Sequence, residues 1–238
     1  VIEGAHGAAV VANPPEEEID YPWGEPVPEG MQHWQQCADV ALALRDWLRR
    51  QPGGDRAVVC HNTCIYYTEG DKGDVVAPDV AVAFGVHTTE EPMHVYKVWE
   101  TGAMPAWVLE VASPSTVRGD VRDKPDLYAA LGVAEYWRTD PTEDGLLHPP
   151  LQGDHLTGAH RRPIAVTADA DGTLRGHSDA LGLDLCWRDG ELRLFDPATG
   201  TPLLTYDDQA QARTAAETRA ARAEAELAAL RRRLDPQR

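Results

Sequence analysis

The chain reads as an α/β domain: an amphipathic helix, a run of short strands, a helix closed by glycine, and a further strand follow one another along one stretch of sequence. With 238 residues, 42% of them hydrophobic, it has the length and apolar content for one sizeable core plus appendages. Two acids set inside otherwise apolar strands mark where chemistry is expected.

Residues 1–28 carry five prolines and the run Glu16, Glu17, Glu18, a composition that resists regular structure, and read as an extended leader. From Met31 to Arg50, Met31, Trp34, Ala38, Ala41, Leu44 and Leu48 recur at spacings of three and four, predicting a helix with one face on a core and a stop at Gln51, Pro52 and Gly53. Strand-like runs follow at 56–60, 64–68, 79–84 and 106–112. A helix is expected over 123–131, with Gly132 in the left-handed cap position, then a strand over 135–139. Beyond Asp140, short strands are expected near 164–167, 183–188 and 192–195, with Asp189-Gly190 as a hairpin signal. The segment 29–206 is thus expected as the main domain, and 207–238 as a terminal helix. In that helix Ala216, Ala220, Ala223, Leu227, Leu230 and Leu234 form a narrow heptad seam, which leaves a homodimeric coiled coil and a lone solvated helix both open.

Charge limits the partners. The formal net charge is -17 and the isoelectric point about 4.8. Residues 209–238 hold seven arginines and four acids, so residues 1–208 carry 15 basic against 35 acidic side chains. A basic coat for nucleic acid is excluded, and any such contact needs a local groove with cations offsetting the field. No stretch is apolar enough for a membrane span, and the first residues lack the pattern of a signal peptide. Four scattered cysteines do not make a disulfide framework and fit a reducing, cytoplasmic setting. Cys60, His61 and Cys64 lack a second ligand pair and read as strand residues rather than a zinc half-site. The motifs of serine hydrolases, phosphate-loop proteins, dinucleotide enzymes and zinc proteases are absent.

Alternation puts Val80, Val82 and Phe84 on one face of their strand and Asp79, Ala81 and Ala83 on the other. It puts Trp107, Leu109 and Val111 on one face of the next and Ala106, Val108, Glu110 and Ala112 on the other. The bulky sides mark the core, and the acid side is expected to floor an open cleft. A carboxylate in such a strand needs a partner, a hydrogen bond or a cation. Two on adjacent strands suit a hard divalent ion, although each could instead cap a turn or pair with an arginine.

The blocks Ala77-Pro78-Asp79-Val80, Val108 to Thr116 (VLEVASPST), Asp120 and Lys124 through Leu127-Tyr128, and Gly132 to Trp137 (GVAEYW) with Asp140-Pro141 resemble the Uma2 family of restriction-endonuclease-like proteins, within the PD-(D/E)XK nuclease superfamily. Tyr96 to Glu100, Pro149 to Gly153 and the terminal helix extend the likeness over most of residues 29–238. The resemblance implies a restriction-endonuclease-like fold, a central mixed sheet flanked by helices. It implies magnesium- or manganese-dependent hydrolysis of phosphodiester bonds in nucleic acid, taken as DNA, although the residues choose neither DNA over RNA nor a target sequence.

By position, Asp79 matches the first acid and Glu110 the second, with the backbone carbonyl of Val111 as a further metal ligand. The usual lysine place holds Ala112, and Lys124 matches a lysine shifted onto the following helix, with Pro125 constraining its backbone. Glu29, just before the first helix, matches an acid that could bind a second ion through water or simply favour the helix dipole; His33 matches a histidine four residues on and reads as structural. Lys72 and Lys97 are the rival lysines. The competing expectation is a catalytically silent nuclease-like module for binding or assembly through the terminal helix, which the acidity of residues 1–208 favours.

Overall fold

The structure is a computed structural model that describes residues 20–22, 30–87, 94–142, 145–158 and 160–234. In chain order its elements are α1 (Met31–Leu48), β1 (Ala57–His61), β2 (Ile65–Tyr66), β3 (Val75–Val76), β4 (Val80–Phe84), β5 (Tyr96–Lys97), α2 (Val98–Thr101), β6 (Trp107–Val111), α3 (Val117–Arg122), α4 (Lys124–Leu131) and β7 (Glu135–Thr139). There follow β8 (Leu151–Thr157), β9 (His160–Pro163), β10 (Val166–Ala168), β11 (Leu174–Ser178), β12 (Leu183–Arg188), β13 (Glu191–Asp196), β14 (Thr201–Pro202) and α5 (Tyr206–Leu234).

A central six-stranded sheet runs β1-β4-β6-β7-β8-β9. It is mixed: β6 and β7 are parallel, joined across α3 and α4, and every other neighbouring pair is antiparallel. The α/β class with a central mixed sheet, flanking helices and a terminal helix is therefore as the sequence predicts. Short strands β3-β2-β5 form a small second sheet, and β10 to β14 form a third, all-antiparallel one.

Both faces of the central sheet are buried, each in its own core. On one face Val80, Val82, Trp107, Leu109, Val111 and Trp137 meet α1 and the inner side of the third sheet. On the other, Ala81, Ala83, Val108 and Tyr136 meet Tyr128, Ala129 and Val133 from α4 and the turn after it. The third sheet closes tightly on the first: a Cβ added at Gly153 or Gly176 would stand 2.7 or 2.8 Å from the Trp137 ring, so glycine is what lets β8 and β11 press on that indole. The β12–β13 hairpin turns at Asp189 and Gly190, with φ of 51° and 82°, as the Asp-Gly pair predicts.

Two differences from the sequence reading matter for the site. The buried stripe of α1 runs through His33, Cys37, Val40, Leu44 and Leu48, while Met31 and Trp34 are exposed. The helix expected over 123–131 is α4, capped by left-handed Gly132 and with Pro125 in its first turn, where the missing N–H costs nothing; the difference is α3, a further short helix that precedes it and ends at Arg122. Of the leader, residues 20–22 lie against the small sheet: Tyr21 stacks edge-on to Tyr66 and its hydroxyl accepts the Gly70 N–H at 2.8 Å.

Candidate active site

Antiparallel pairing of β4 with β6 sets Val80 opposite Leu109 and Ala81 opposite Val108. One further step of that register sets Asp79 opposite Glu110, and opposite residues of an antiparallel pair share a face. The two acids therefore sit side by side at one end of the sheet, where β6 runs out toward α3. Both are buried, at 8% and 2% exposure. The face is not the open floor expected from the small residues around the acids: α4 lies over it, and those small side chains make room for Tyr128 and Tyr136.

Each acid has its own set of partners. The Val111 N–H donates to Asp79 Oδ2 at 2.7 Å, and His33 Nε2 lies 3.2 Å from the same oxygen. His33 Nδ1 is in turn 3.7 Å from Cys37 Sγ, one helical turn on. The Tyr128 hydroxyl donates to Glu110 Oε1 at 2.9 Å, and Lys124 Nζ lies 2.9 Å from that oxygen. Lys124 also reaches Asp120 Oδ1 at 2.7 Å, so its ammonium bridges two carboxylates. Tyr136 donates to the backbone carbonyl of Asp120 at 2.9 Å, tying α3 to β7.

The helix break explains how a lysine fourteen residues past Glu110 gets there. α3 ends on Arg122, the chain restarts at Lys124 as the first residue of α4, and the restart lies over the end of β6. Asp120 stands four residues before Lys124, the spacing at which side chains on successive turns meet. With Glu110 and Asp120 each 3% exposed and Lys124 30%, the ammonium is the member of this triad that solvent reaches.

Burial pushes the Glu110 carboxyl up to about 8; Lys124 pulls it down, while the charges of Asp79 and Asp120 push it further up. Burial opposes the Lys124 charge, but Glu110 and Asp120 outweigh it and hold the ammonium well above its usual range. Burial, and then Glu110, raise the Tyr128 phenol, which stays a neutral donor. Three buried acids thus share one ammonium and one imidazole in a site walled by apolar side chains, and that crowding opposes the ionisation of Glu110.

This donor set fits a hard divalent cation, since carboxylate oxygens are its preferred ligands. Asp79 and Glu110 stand at neighbouring positions of the β4–β6 pair, and Lys124 links Glu110 to Asp120. Val111 presents its N–H to Asp79, which fixes the strand beside the site. His33, Cys37 and Asp79 bring one ligand atom each within 4.8 Å of one another, as do Glu135, His155 and Asp179. Glu29 lies outside the described residues. Of the rival lysines, Lys97 pairs with Glu100 at 3.0 Å and lies 5.1 Å over the Tyr21 ring, away from the acids, and Lys72 is in an exposed turn. A groove of about 410 Å³ between α1 and the β12–β13 hairpin is bordered by Asp39, Asp189 and Glu191, and among the described residues no lysine or arginine lines it.

Sequence reasoning left Asp120 and Tyr128 without a role and took His33 as structural. The signal for Asp120 was its four-residue spacing to Lys124. For His33 it was the same spacing to Cys37, on the helix whose buried stripe it opens. Tyr128 carried none, because its reach to Glu110 depends on how α4 lies across the sheet.

Residues 9–158, well over half of the chain, match the model of the Uma2 family, whose description is "Putative restriction endonuclease". Among solved structures, the chain is similar to a protein from Anabaena variabilis ATCC 29413 described as a putative nuclease belonging to DUF820. The two are 16% identical over 61% of this chain and 75% of that one, with a TM-score of 0.42. No curated protein matches. By the extent of the family match, this chain belongs to the Uma2 family.

Proposed function

We propose that the protein is a divalent-metal-dependent endonuclease that hydrolyses phosphodiester bonds of nucleic acid, DNA in the first instance. The observation that carries this reading is the acid cluster at the end of β4 and β6: Asp79, Glu110 and Asp120 are buried together with Lys124 as the one ammonium among them. Without a further cation, ionising all three is costly, and a cation with oxygen ligands offsets that cost.

Magnesium or manganese bound there would supply Lewis acidity and screen the phosphate. Asp79 and Glu110 would hold it, with the backbone of Val111 beside them. Asp79 is fixed by His33 and the Val111 amide, and Glu110 by Tyr128, so neither carboxylate has to be ordered when the ion arrives. Lys124, released from part of its pairing once the ion shares the carboxylate charge, would orient the attacking water or stabilise charge developing on the phosphate. Glu29 is assigned an auxiliary part on a second ion. A cytoplasmic setting, where the four thiols stay reduced, goes with this reading.

A binding or assembly module with the same fold is the second reading, favoured by the 35 acids against 15 basic residues in positions 1–208, a field that repels a polyanion. Incubation of the full chain with a mixed DNA and RNA pool, with magnesium, with manganese and with chelator, separates the two. Metal-dependent cutting that Asp79→Asn and Glu110→Gln abolish supports the nuclease. No cutting with either ion, together with no metal uptake by calorimetry, overturns it in favour of the module.

A further inference from the structure

We propose that α5 pairs, parallel and in register, with α5 of a second copy of this chain, through the seam of Ala216, Ala220, Ala223, Leu227 and Leu230. The proposal is independent of the nuclease reading.

α5 has 29 residues, about 43 Å at 1.5 Å per residue. Every side chain described from Ala210 to Arg231 is exposed, and Leu227 and Leu230 stand 54% and 53% in solvent. Among the described residues its first turn is what fastens it to the domain: Arg193 pairs with Asp208, and Asp208 accepts the Thr205 N–H at 3.0 Å. The seam residues alternate spacings of four and three, the 3.5-residue repeat of a left-handed coil, with Ala220 and Leu227 at a positions and Ala216, Ala223 and Leu230 at d. The alanines let two backbones come close, and the leucines fill the distal half.

The flanking charges choose the partner and its direction. Arg219 and Glu226 occupy g positions, and Glu217, Glu224 and Arg231 occupy e positions. In a parallel pair each g residue faces the e residue five places on in the other helix. Arg219 then meets the partner's Glu224, and Glu226 meets the partner's Arg231. Both contacts are between opposite charges, and symmetry makes each twice. An antiparallel pair places g against g and e against e, which sets Glu226 against the partner's Glu226 and Glu224 against the partner's Glu224. Glu226 already takes an Arg222 N–H on its own helix at 3.0 Å, as Glu217 takes one from Arg213 at 2.9 Å. Arg219 and Glu224, by contrast, have no ion-pair partner among the described residues, although both flank the seam. A second copy supplies those partners.

The test uses the full chain in sedimentation equilibrium from micromolar to hundreds of micromolar. The expected mass rises to twice 26.1 kDa. Leu227→Glu with Leu230→Glu should hold it at the monomer without shifting the domain's melting curve. Glu224→Arg alone sets like charges together twice per dimer and should weaken association about tenfold. Adding Arg219→Glu restores opposite charges in the parallel register and should recover the lost affinity. Ala223→Cys should cross-link two chains under mild oxidation much faster than the unaltered protein, because equivalent d positions meet only in a parallel pair. A monomer at every concentration, association indifferent to the leucine variants, failure of the double reversal to recover it, or no gain in cross-linking would each overturn the proposal.

Discussion

Two glutamates lie on opposite faces of the central sheet, equally hidden from water, and their surroundings differ in kind. Glu135, on the face toward the third sheet, accepts the Ser178 hydroxyl at 2.6 Å, the Trp137 indole N–H at 3.0 Å and the Ala180 amide at 3.0 Å. These donors are neutral and come from both sheets, so the carboxylate acts as a clasp between them; His155 lies 3.7 Å away at the margin. Glu110, on the other face, is held by a phenol and by an ammonium that it shares with Asp120, and Asp79 stands across the strand pair from it. Burial by itself therefore does not distinguish a working carboxylate from a structural one. The distinction is whether the neighbours complete its hydrogen bonds or crowd it with further acids that oppose its ionisation.

The contrast is broken most directly through activity. Asp79→Asn and Glu110→Gln should each lower metal-dependent cleavage by about a thousandfold or more, measured as initial rates on a DNA pool, since loss of a ligand removes the ion's contribution to the transition state. Glu135→Gln, if it folds, should leave the rate within a few-fold. Equal loss from Glu135→Gln and Glu110→Gln in well-folded proteins would end the distinction.

Lys124→Ala should follow, with turnover reduced about a hundredfold and metal affinity kept or tightened. The ammonium acts on water and phosphate, and it competes with the ion for Glu110 and Asp120. Weaker metal binding in this variant would instead make Lys124 a structural counter-ion that holds the carboxylates in place.

Stability should separate the glutamates with opposite sign. Glu135→Gln places an amide where three donors converge and should cost about 1–3 kcal/mol, several degrees in melting temperature for a chain of this length. Glu110→Gln removes a carboxyl whose ionisation burial opposes, and should leave the metal-free protein unchanged near neutral pH and more stable above about pH 8. The pH dependence carries the same sign. Because burial raises the Glu110 carboxyl to about 8, the folded state keeps its proton where the unfolded chain, near 4.5, has lost it. Its contribution is complete below pH 4.5 and is lost as pH rises through about 8, so metal-free stability should fall across that window in the parent and less in Glu110→Gln. Uptake of magnesium at pH 7 should release up to one proton, read by calorimetry in buffers of different ionisation heat.

The elements around the site were legible where a local pattern sufficed. Alternation in 79–84 and 106–112 was enough to place Asp79 and Glu110 on common faces, and Asp189-Gly190 announced its hairpin. The strand β8 was missed because Gly153 and Asp154 interrupt its apolar pattern: the glycine yields to the Trp137 ring and the aspartate pairs with Arg138, both decided across the sheet. Strand β11 hides for the same reason at Gly176. The covering of the acid face was illegible too. Small residues around an acid suit an open floor or a fitted tyrosine equally well, and only the path of α4 decides between them.

The smallest effect is expected at Lys97, and it sharpens the assignment of Lys124 by exclusion. Both lysines touch acids, and both belong to blocks of sequence that resemble the family. Their partners differ: Lys97 pairs with Glu100, itself 58% exposed, and covers the face of Tyr21, whereas Lys124 pairs with two carboxylates that are each 3% exposed. An exposed pair and a partly solvated ring contact are each worth well under about 1 kcal/mol to the fold. Lys97→Ala should therefore shift the melting temperature by no more than a degree or two and leave the cleavage rate at saturating DNA unchanged. A modest rise in KM at low salt, vanishing at high salt, would identify Lys97 as a backbone-phosphate contact on the rim of the site. A fall in turnover comparable to that of Lys124→Ala would transfer the catalytic lysine to Lys97 and leave Lys124 as the ammonium that makes two buried acids tolerable.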